Sequence, residues 1–298
     1  MTHNLTLRAR ILQEIRRFFV SRDFLEVETP YRIPAPAPEA HIAAPPSGDW
    51  FLHTSPELCM KRLLARGIPR LFQLCRCFRQ NERGERHLPE FTLLEWYAAH
   101  MDYHGMMTQC EELIHDISVR LGLGGRIRYQ GHDIDLSPPW PRVTVAEAFR
   151  RFTDVTPERA LSEGCFDELV GCRIEPGLGL EKPVFLCEYP VSQAALARVC
   201  PENPAVAERF ELYIGGLELC NAFTELTEPL EQRRRFEIQL RQMQTEGCRV
   251  YPMPEKFLKD LSHMPPAAGN ALGIDRLVML FADTSRIDDV VAFTPETL

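Results

Sequence analysis

Apolar positions Leu7, Ile11, Ile15, Phe18 and Phe19 recur at helical spacing, which predicts an amphipathic helix over residues 6–22. FLEVETP (24–30) reads as a short strand stopped by Pro30. Residues 34–48, PAPAPEAHIAAPPSG, carry no periodicity. Their Pro and Ala content predicts an extended, mobile surface loop. WFLHT (50–54) follows as a strand. Ser55 then stands as an N-cap, with Pro56 at the first helical position and Glu57 in the first turn of a helix that runs to Gly67.

Two strands, at 70–79 and 91–97, flank a loop crowded with Arg79, Glu82, Arg83, Glu85, Arg86, His87 and Glu90. A hairpin tip needs only Gly, Asn or Asp, so this loop is built to hold something. A second long helix is predicted over 103–121. Thr144 and Glu147 form a capping box that opens another. Residues 150–182 are less regular, and a helical insertion is expected around 140–182. PVFLCEYP (183–190) is a strand, and ERFELYIGGLELCNAFTEL (208–226) is two strands around Gly215-Gly216. Residues 229–246 read as a charged helix, and GNALGIDRLVMLFAD (269–283) as a Gly-containing turn feeding a buried helix. Strands joined as hairpins outnumber crossover units, so the expected class is α+β: one domain, 1–298, with an antiparallel sheet flanked by helices.

Composition narrows the function classes. The 298 residues are 45% hydrophobic, enough for a sizeable core, and the formal charge is -8. That balance disfavours general binding to DNA or RNA backbone, which calls for a basic face. None of the ten cysteines forms a C-x-x-C pair, and no His–Cys spacing suggests zinc, so reduced thiols are expected. The start has no apolar leader, and there is no run of about 18 apolar residues. A soluble cytoplasmic protein without a membrane partner is the expectation.

No G-x-G-x-x-G, G-x-x-x-x-G-K-[ST] or H-E-x-x-H motif occurs, so any phosphate must be met by Arg side chains. Arg79 ends a strand before the charged loop and Arg276 opens the last helix; both can grip phosphate oxygens. His87 lies in the loop within reach of phosphate, though a solvated loop histidine is the default. With a two-residue turn at Gly215-Gly216, Tyr213 pairs with Glu218 and Leu212 with Leu219. Glu211 and Glu218 then become diagonal neighbours on one face, where Mg²⁺ would relieve their repulsion; a solvated sheet face is the other reading. Asn221, Phe223 and Glu225 share a face, as do Glu95 and Tyr97. Facing each other, the sets would pocket a cationic ligand; otherwise they are ordinary half-buried strands. Strict alternation sets Glu218 and Glu225 on opposite faces, so a shared site requires a bulge between them. Cys75, Cys77 and Cys220 read as sheet filler.

Three ordered segments then carry a resemblance. RARILQEIRRFFVSRDFLEVETP, CFRQNERGERHLPEFTLLEWY and GNALGIDRLVML resemble motifs 1, 2 and 3 of class II aminoacyl-tRNA synthetases, in the lysine branch. TSPELCMKRLL is similar to the segment that binds the amino-acid head. The motif 1 helix starts by residue 6, which leaves no room for the N-terminal anticodon-reading OB-fold of lysyl-tRNA synthetases. Ala271 stands where those enzymes have Gly. The chain therefore resembles the truncated paralogues, the elongation factor P–lysine ligases.

The resemblance implies a class II synthetase-like fold and two-step chemistry: lysine or (R)-β-lysine is activated by ATP as an adenylate, then joined to a lysine side chain of elongation factor P. Carried over by position, Arg79 holds the α-phosphate, and Arg276 lies against adenine and reaches the γ-phosphate. Asn81, His87, Glu218, Leu219 and Gly273 complete the ATP site. Glu211 and Glu218 hold Mg²⁺. Ser55, Pro56 and Glu57 take the amino end of the substrate. Glu95, Tyr97 and Glu225 take its side-chain ammonium, with Asn221, Phe223 and Ala271 around it. Asn81 replaces the family's Glu, and Leu88 its Asn; Glu82, one position on, is the candidate to compensate for the first. Ala222 stands for a Gly, and Thr224 for a His or Ser. A homodimer is implied by motif 1, and tRNA is not the expected acceptor. The rival readings are a lysyl-tRNA synthetase core acting on tRNA and a non-catalytic sensor of lysine or adenylate.

Overall fold

The structure, a computed structural model, describes residues 2–298. Eight strands form one sheet, in the spatial order Leu25–Glu26, Arg70–Phe78, Glu90–Ala99, Ala267–Gly273, Leu217–Thr224, Val206–Ile214, Val184–Pro190, Arg142–Thr144. The middle six pair antiparallel. The outermost strand on each side runs parallel to its neighbour, so the sheet is mixed rather than purely antiparallel. Alternation gives the sheet two faces. Phe72, Leu94, Trp96, Phe210, Leu212 and Leu272 point to the back, where the helices Thr2–Val20, Tyr103–Arg120 and Ile274–Phe281 cover them. The helical period seen in the sequence is the buried stripe: Ile11, Ile15, Phe18 and Phe19 are all buried, and Phe19 stacks on Phe72 with centroids 4.8 Å apart. The front face is covered at one end by the helices Glu57–Ala65, Pro229–Thr245 and Glu255–Leu261, which pack on Leu71, Tyr97 and Ala267, and at the other by residues 145–178, which pack on Leu186, Tyr189 and Tyr213. The rest of the front remains a hollow.

Several elements differ from expectation. GNALG is not a turn: Ala267–Gly273 is a central strand paired on both sides, and Gly273 is the N-cap of the final helix. FLEVETP contributes only Leu25–Glu26 to the sheet; the Val27 amide still donates to the Phe72 carbonyl, but the Thr29 amide donates to the Gln73 side chain instead of the strand backbone. Pro56, not Ser55, is the cap residue of Glu57–Ala65, although Ser55 Oγ still accepts from the Glu57 amide at 3.0 Å. Residues 34–48 are not a free loop. Ala40 and Ala44 are buried against Phe51, Met243 and Tyr251, Pro46–Ser47 pairs with Trp50–Leu52, and the Ala44 amide donates to Tyr251 Oη at 2.6 Å. A hairpin, Arg126–Tyr129 and His132–Asp135, has no counterpart in the sequence reading. The Thr144–Glu147 capping box forms as read.

One buried ion pair ties the three motif-bearing segments together. Arg8 on the first helix meets Asp275 at 2.6 Å and donates to Thr92 Oγ1 at 2.7 Å, while the other Asp275 oxygen accepts from the Thr92 amide at 2.7 Å.

Candidate active site

The covered end of the hollow is acidic. Glu95 and Tyr97 point into it from Glu90–Ala99, and Asn221 and Phe223 from Leu217–Thr224, with Glu225 just beyond. Ser55 Oγ donates to Glu95 Oε2 at 2.6 Å and Tyr97 Oη donates to Glu95 Oε1. Lys61, one turn along the helix from Glu57, brings its ammonium into contact with both Glu57 and Glu225, 5.1 Å from the centre of the Phe223 ring. This is the cation-on-aromatic arrangement expected for a ligand, made here by the protein itself. Burial dominates the electrostatics: it pushes the Glu225 carboxyl up to about 8, with Lys61 pulling the other way, and raises Glu95 too, helped by the charge of Glu57. Glu225 Oε1 is buried without a hydrogen-bond partner, so the chamber retains an unused acceptor. Glu39, from the Pro/Ala-rich segment, joins this group. Its residue keeps some surface, but its carboxyl is enclosed and rises to about 7 through desolvation and then repulsion from Glu57.

The open end is cationic. Arg79, Arg86, His87 and Arg276 line a second cavity together with Glu82, Leu88, Glu218, Leu219, Asn221, Ala271 and Gly273. Arg276 donates to the Glu218 carbonyl at 2.9 Å, pairs with Glu218 Oε2 at 3.0 Å, and approaches His87 Nε2 at 2.6 Å. Burial, and then the Arg276 charge, lowers His87 below its ordinary range, so the ring is neutral and can accept from the guanidinium. Arg79 lies 3.6 Å from Glu82, and its Nε is buried without a partner. Asn221 lines this cavity and also a larger one of about 820 Å³ that runs past Glu39, Arg209 and Phe223.

Between these ends the charges of three carboxylates act on one another. Tyr213 pairs with Glu218 as read, but Leu212 pairs with Cys220, not Leu219. Leu219 is the extra residue of a bulge, and that bulge puts Glu218 on the same face as Asn221, Phe223 and Glu225. Glu211 accepts from Tyr189 and Tyr213 and pairs with Arg209. The third carboxylate, Glu175, comes from the irregular 150–182 region and accepts from Tyr213 Oη at 3.2 Å. Desolvation, then the charges of Glu218 and Glu211, pushes Glu175 up to about 7; Glu211 is raised as well, chiefly by burial. Mutually repelling oxygens beside a cationic cavity suit a hard divalent cation such as Mg²⁺.

The family model for class II tRNA synthetases (D, K and N) matches residues 1–297. The chain belongs to this class II synthetase family. It is similar to the elongation factor P–(R)-beta-lysine ligases of Salmonella gallinarum (40% identical over 98% of this chain and 94% of the relative) and Erwinia tasmaniensis (39% identical, with the same coverage). It is also similar to the lysine–tRNA ligase of Moorella thermoacetica, 38% identical over 96% of this chain and 64% of that protein.

In this class II synthetase domain the structure gathers Ser55, Glu57, Glu95, Tyr97, Asn221, Phe223 and Glu225 at one end of the front face, and Arg79, His87, Glu218, Leu219, Gly273 and Arg276 at the other. Asn81 is the exception. It sits exposed in the loop with φ 65, outside the cavity, while Glu82 lines it. Three residues escaped the sequence reading. Lys61 had a signal, its i,i+4 spacing from Glu57. Glu39 and Glu175 had none, since both reach the site from irregular chain. All ten cysteines are free thiols.

Proposed function

We propose that this chain is an ATP-dependent aminoacyl ligase of a single catalytic unit. It activates lysine or (R)-β-lysine as an adenylate and transfers it to a lysine side chain of elongation factor P. The observation that carries this reading is Asn221, the common wall between a cavity lined by Arg79, Arg86, His87 and Arg276 and a chamber lined by carboxylates. A triphosphate and a molecule with an extra ammonium would meet there. The names of the elongation factor P-modifying relatives support the choice of acceptor.

In the first step a substrate carboxylate oxygen attacks the α-phosphorus of ATP. The acyl–phosphate bond forms as the bond to pyrophosphate breaks. Arg79 stabilises the α-phosphate as charge develops, and Arg276 holds the γ-phosphate end, with neutral His87 as its partner. Glu218 and the backbone beside Leu219 and Gly273 give the nucleotide its floor. Glu211 and Glu218, joined by Glu175, would hold Mg²⁺, which when bound neutralises triphosphate charge. Ser55, Pro56 and Glu57 take the amino end of the substrate, and Glu95, Tyr97, Phe223 and Glu225 its ammonium and stem, beside Ala271. In the second step the neutral ε-amine attacks the acyl carbon. A C–N bond forms, the C–O bond to AMP breaks, and the amine proton leaves to solvent. No enzyme nucleophile takes part.

No helix among the described residues is long and apolar enough to cross a membrane. The proposed ligase is placed in the cytoplasm as a homodimer on the family resemblance. The test is intact-mass analysis of elongation factor P incubated with the protein, ATP and each lysine isomer, alongside ATP–pyrophosphate exchange. A mass increase of one aminoacyl group is expected. Absence of exchange with both isomers, or charging of tRNA in place of the protein, would overturn the reading.

A further inference from the structure

Two cysteines on the front face have no place in the chemistry above. Cys75 and Cys77 are one pleat apart on Arg70–Phe78, buried, with their sulfurs 3.9 Å from each other. His53, 1% exposed, reaches the same spot from the residue after the strand Trp50–Leu52. Its Nε2 lies 2.7 Å from the Arg76 carbonyl. A carbonyl only accepts, so Nε2 carries the proton and Nδ1 the lone pair, the state in which a metal-binding imidazole is held by its outer partner. Nδ1 is buried without a hydrogen-bond partner. A ring nitrogen of His53 and both sulfurs lie within 4.8 Å of one another, the one such trio of His, Cys or carboxylate groups among the described residues.

We propose that Cys75, Cys77 and His53 form a three-ligand site for a thiophilic d¹⁰ cation, Zn²⁺ or Cu⁺. Two sulfurs and an imidazole nitrogen are the ligand set such ions select, whereas Glu175, Glu211 and Glu218 offer only oxygen, so the two sites sort their cations by hardness. Binding displaces two thiol protons and leaves a fourth position that Zn²⁺ fills with water. Tetrahedral Zn–S bonds of about 2.3 Å set two sulfurs roughly 3.8 Å apart, close to the 3.9 Å at which Cys75 and Cys77 already stand. Ser55 is two residues beyond His53, and Arg79 two beyond Cys77, while Cys75 and Cys77 pair across the sheet with Leu93 and Phe91 of the nucleotide cavity. The site therefore adjoins both substrate ends.

The test uses the full-length, reduced, metal-stripped protein. Co²⁺ serves as the spectroscopic probe, and Zn²⁺ and Cu⁺ are titrated against chromophoric chelators. One equivalent of Co²⁺ is expected to give a thiolate-to-metal charge-transfer band with tetrahedral d–d absorption. Cys77→Ser should weaken binding by more than about tenfold, as should His53→Asn, which guards against a folding failure of the first variant. Cys172→Ser and Cys248→Ser, both at exposed thiols, should change nothing. Tighter capture of Zn²⁺ or of Cu⁺ identifies the ion, and either supports the site. No charge-transfer band at one equivalent of Co²⁺ together with no capture of Zn²⁺ or Cu⁺ against the chelators, or metal binding unaltered by Cys77→Ser and His53→Asn, overturns it. Because the readout is binding, it does not depend on the activity proposed above.

Discussion

Gly269 lies opposite Tyr97 in the sheet register, and a Cβ at position 269 would overlap the Tyr97 ring and come within 2.5 Å of Glu225 Oε1. The absence of a side chain there is what allows an aromatic ring and a carboxylate to share one end of the hollow. Gly269→Ala should displace both. The expected result is at least a tenfold rise in the KM for lysine in ATP–pyrophosphate exchange with little change in the KM for ATP, and a stability loss of about 1–3 kcal/mol in chemical denaturation.

Proton linkage should be visible in substrate binding. Glu225 and Glu39 rise to about 8 and about 7, so both hold protons for part of the time near neutrality. The groups facing Glu39 are Glu57, Arg79, Arg209 and Lys61. An ammonium ligand favours the charged carboxylates, so lysine binding should release protons and weaken as pH falls from 8 to 6.5. Calorimetry in buffers of different ionisation enthalpy reads the release directly. The stability contribution has the opposite dependence. With folded values above the unfolded 4.5, these two groups favour the fold fully below that pH and lose the contribution as pH rises through 7 to 8. Lysine should therefore raise the melting temperature more at pH 8 than at pH 6.

Glu175 provides a separable test of the cation site. Glu175→Gln keeps a hydrogen-bond acceptor for Tyr213 Oη while removing one of three repelling charges. The Mg²⁺ concentration for half-maximal exchange should rise several-fold with an unchanged KM for lysine. The variant should also be more stable than the parent above pH 7 in the absence of Mg²⁺, since the repulsion it relieves is present only when Glu175 is ionised.

The Arg8–Asp275 pair should matter to the fold rather than to chemistry. Side-chain exposures of 12% and 3% leave Asp275 no water to replace the guanidinium. Arg8→Met should cost about 3–5 kcal/mol in urea unfolding, because it strands a buried carboxylate. Replacing both partners, Arg8→Met with Asp275→Leu, should recover part of that loss; the Thr92 amide, which also bonds Asp275, sets the limit.

The reading from residues was strongest where one period governs one element. Ile11, Ile15, Phe18 and Phe19 announce their helix because a helix exposes a stripe to the core, and Glu95 with Tyr97, or Asn221 with Phe223 and Glu225, announce a face because strands alternate. It failed at Ala267–Gly273, where propensity points away from a strand. Tyr97 and Glu225 leave no room for larger residues there, and pairing on both sides holds the backbone extended regardless. It failed again at residues 34–48, whose order comes from Tyr251 and Met243, some two hundred residues away in the chain.

The amino-acid order alone thus determined the long helices, the hairpins at the charged loop and at Gly215-Gly216, and the identity of most groups around the hollow, since periodicity and pairing are local. Tertiary structure decided which of them meet. The bulge at Leu219 turned Glu218 to the front, irregular chain delivered Glu39 and Glu175, and Lys61 met the carboxylates expected for a ligand. His53 joined Cys75 and Cys77 in the same way. Such meetings depend on register and on chain entering from a distance, and neither leaves a period in the sequence.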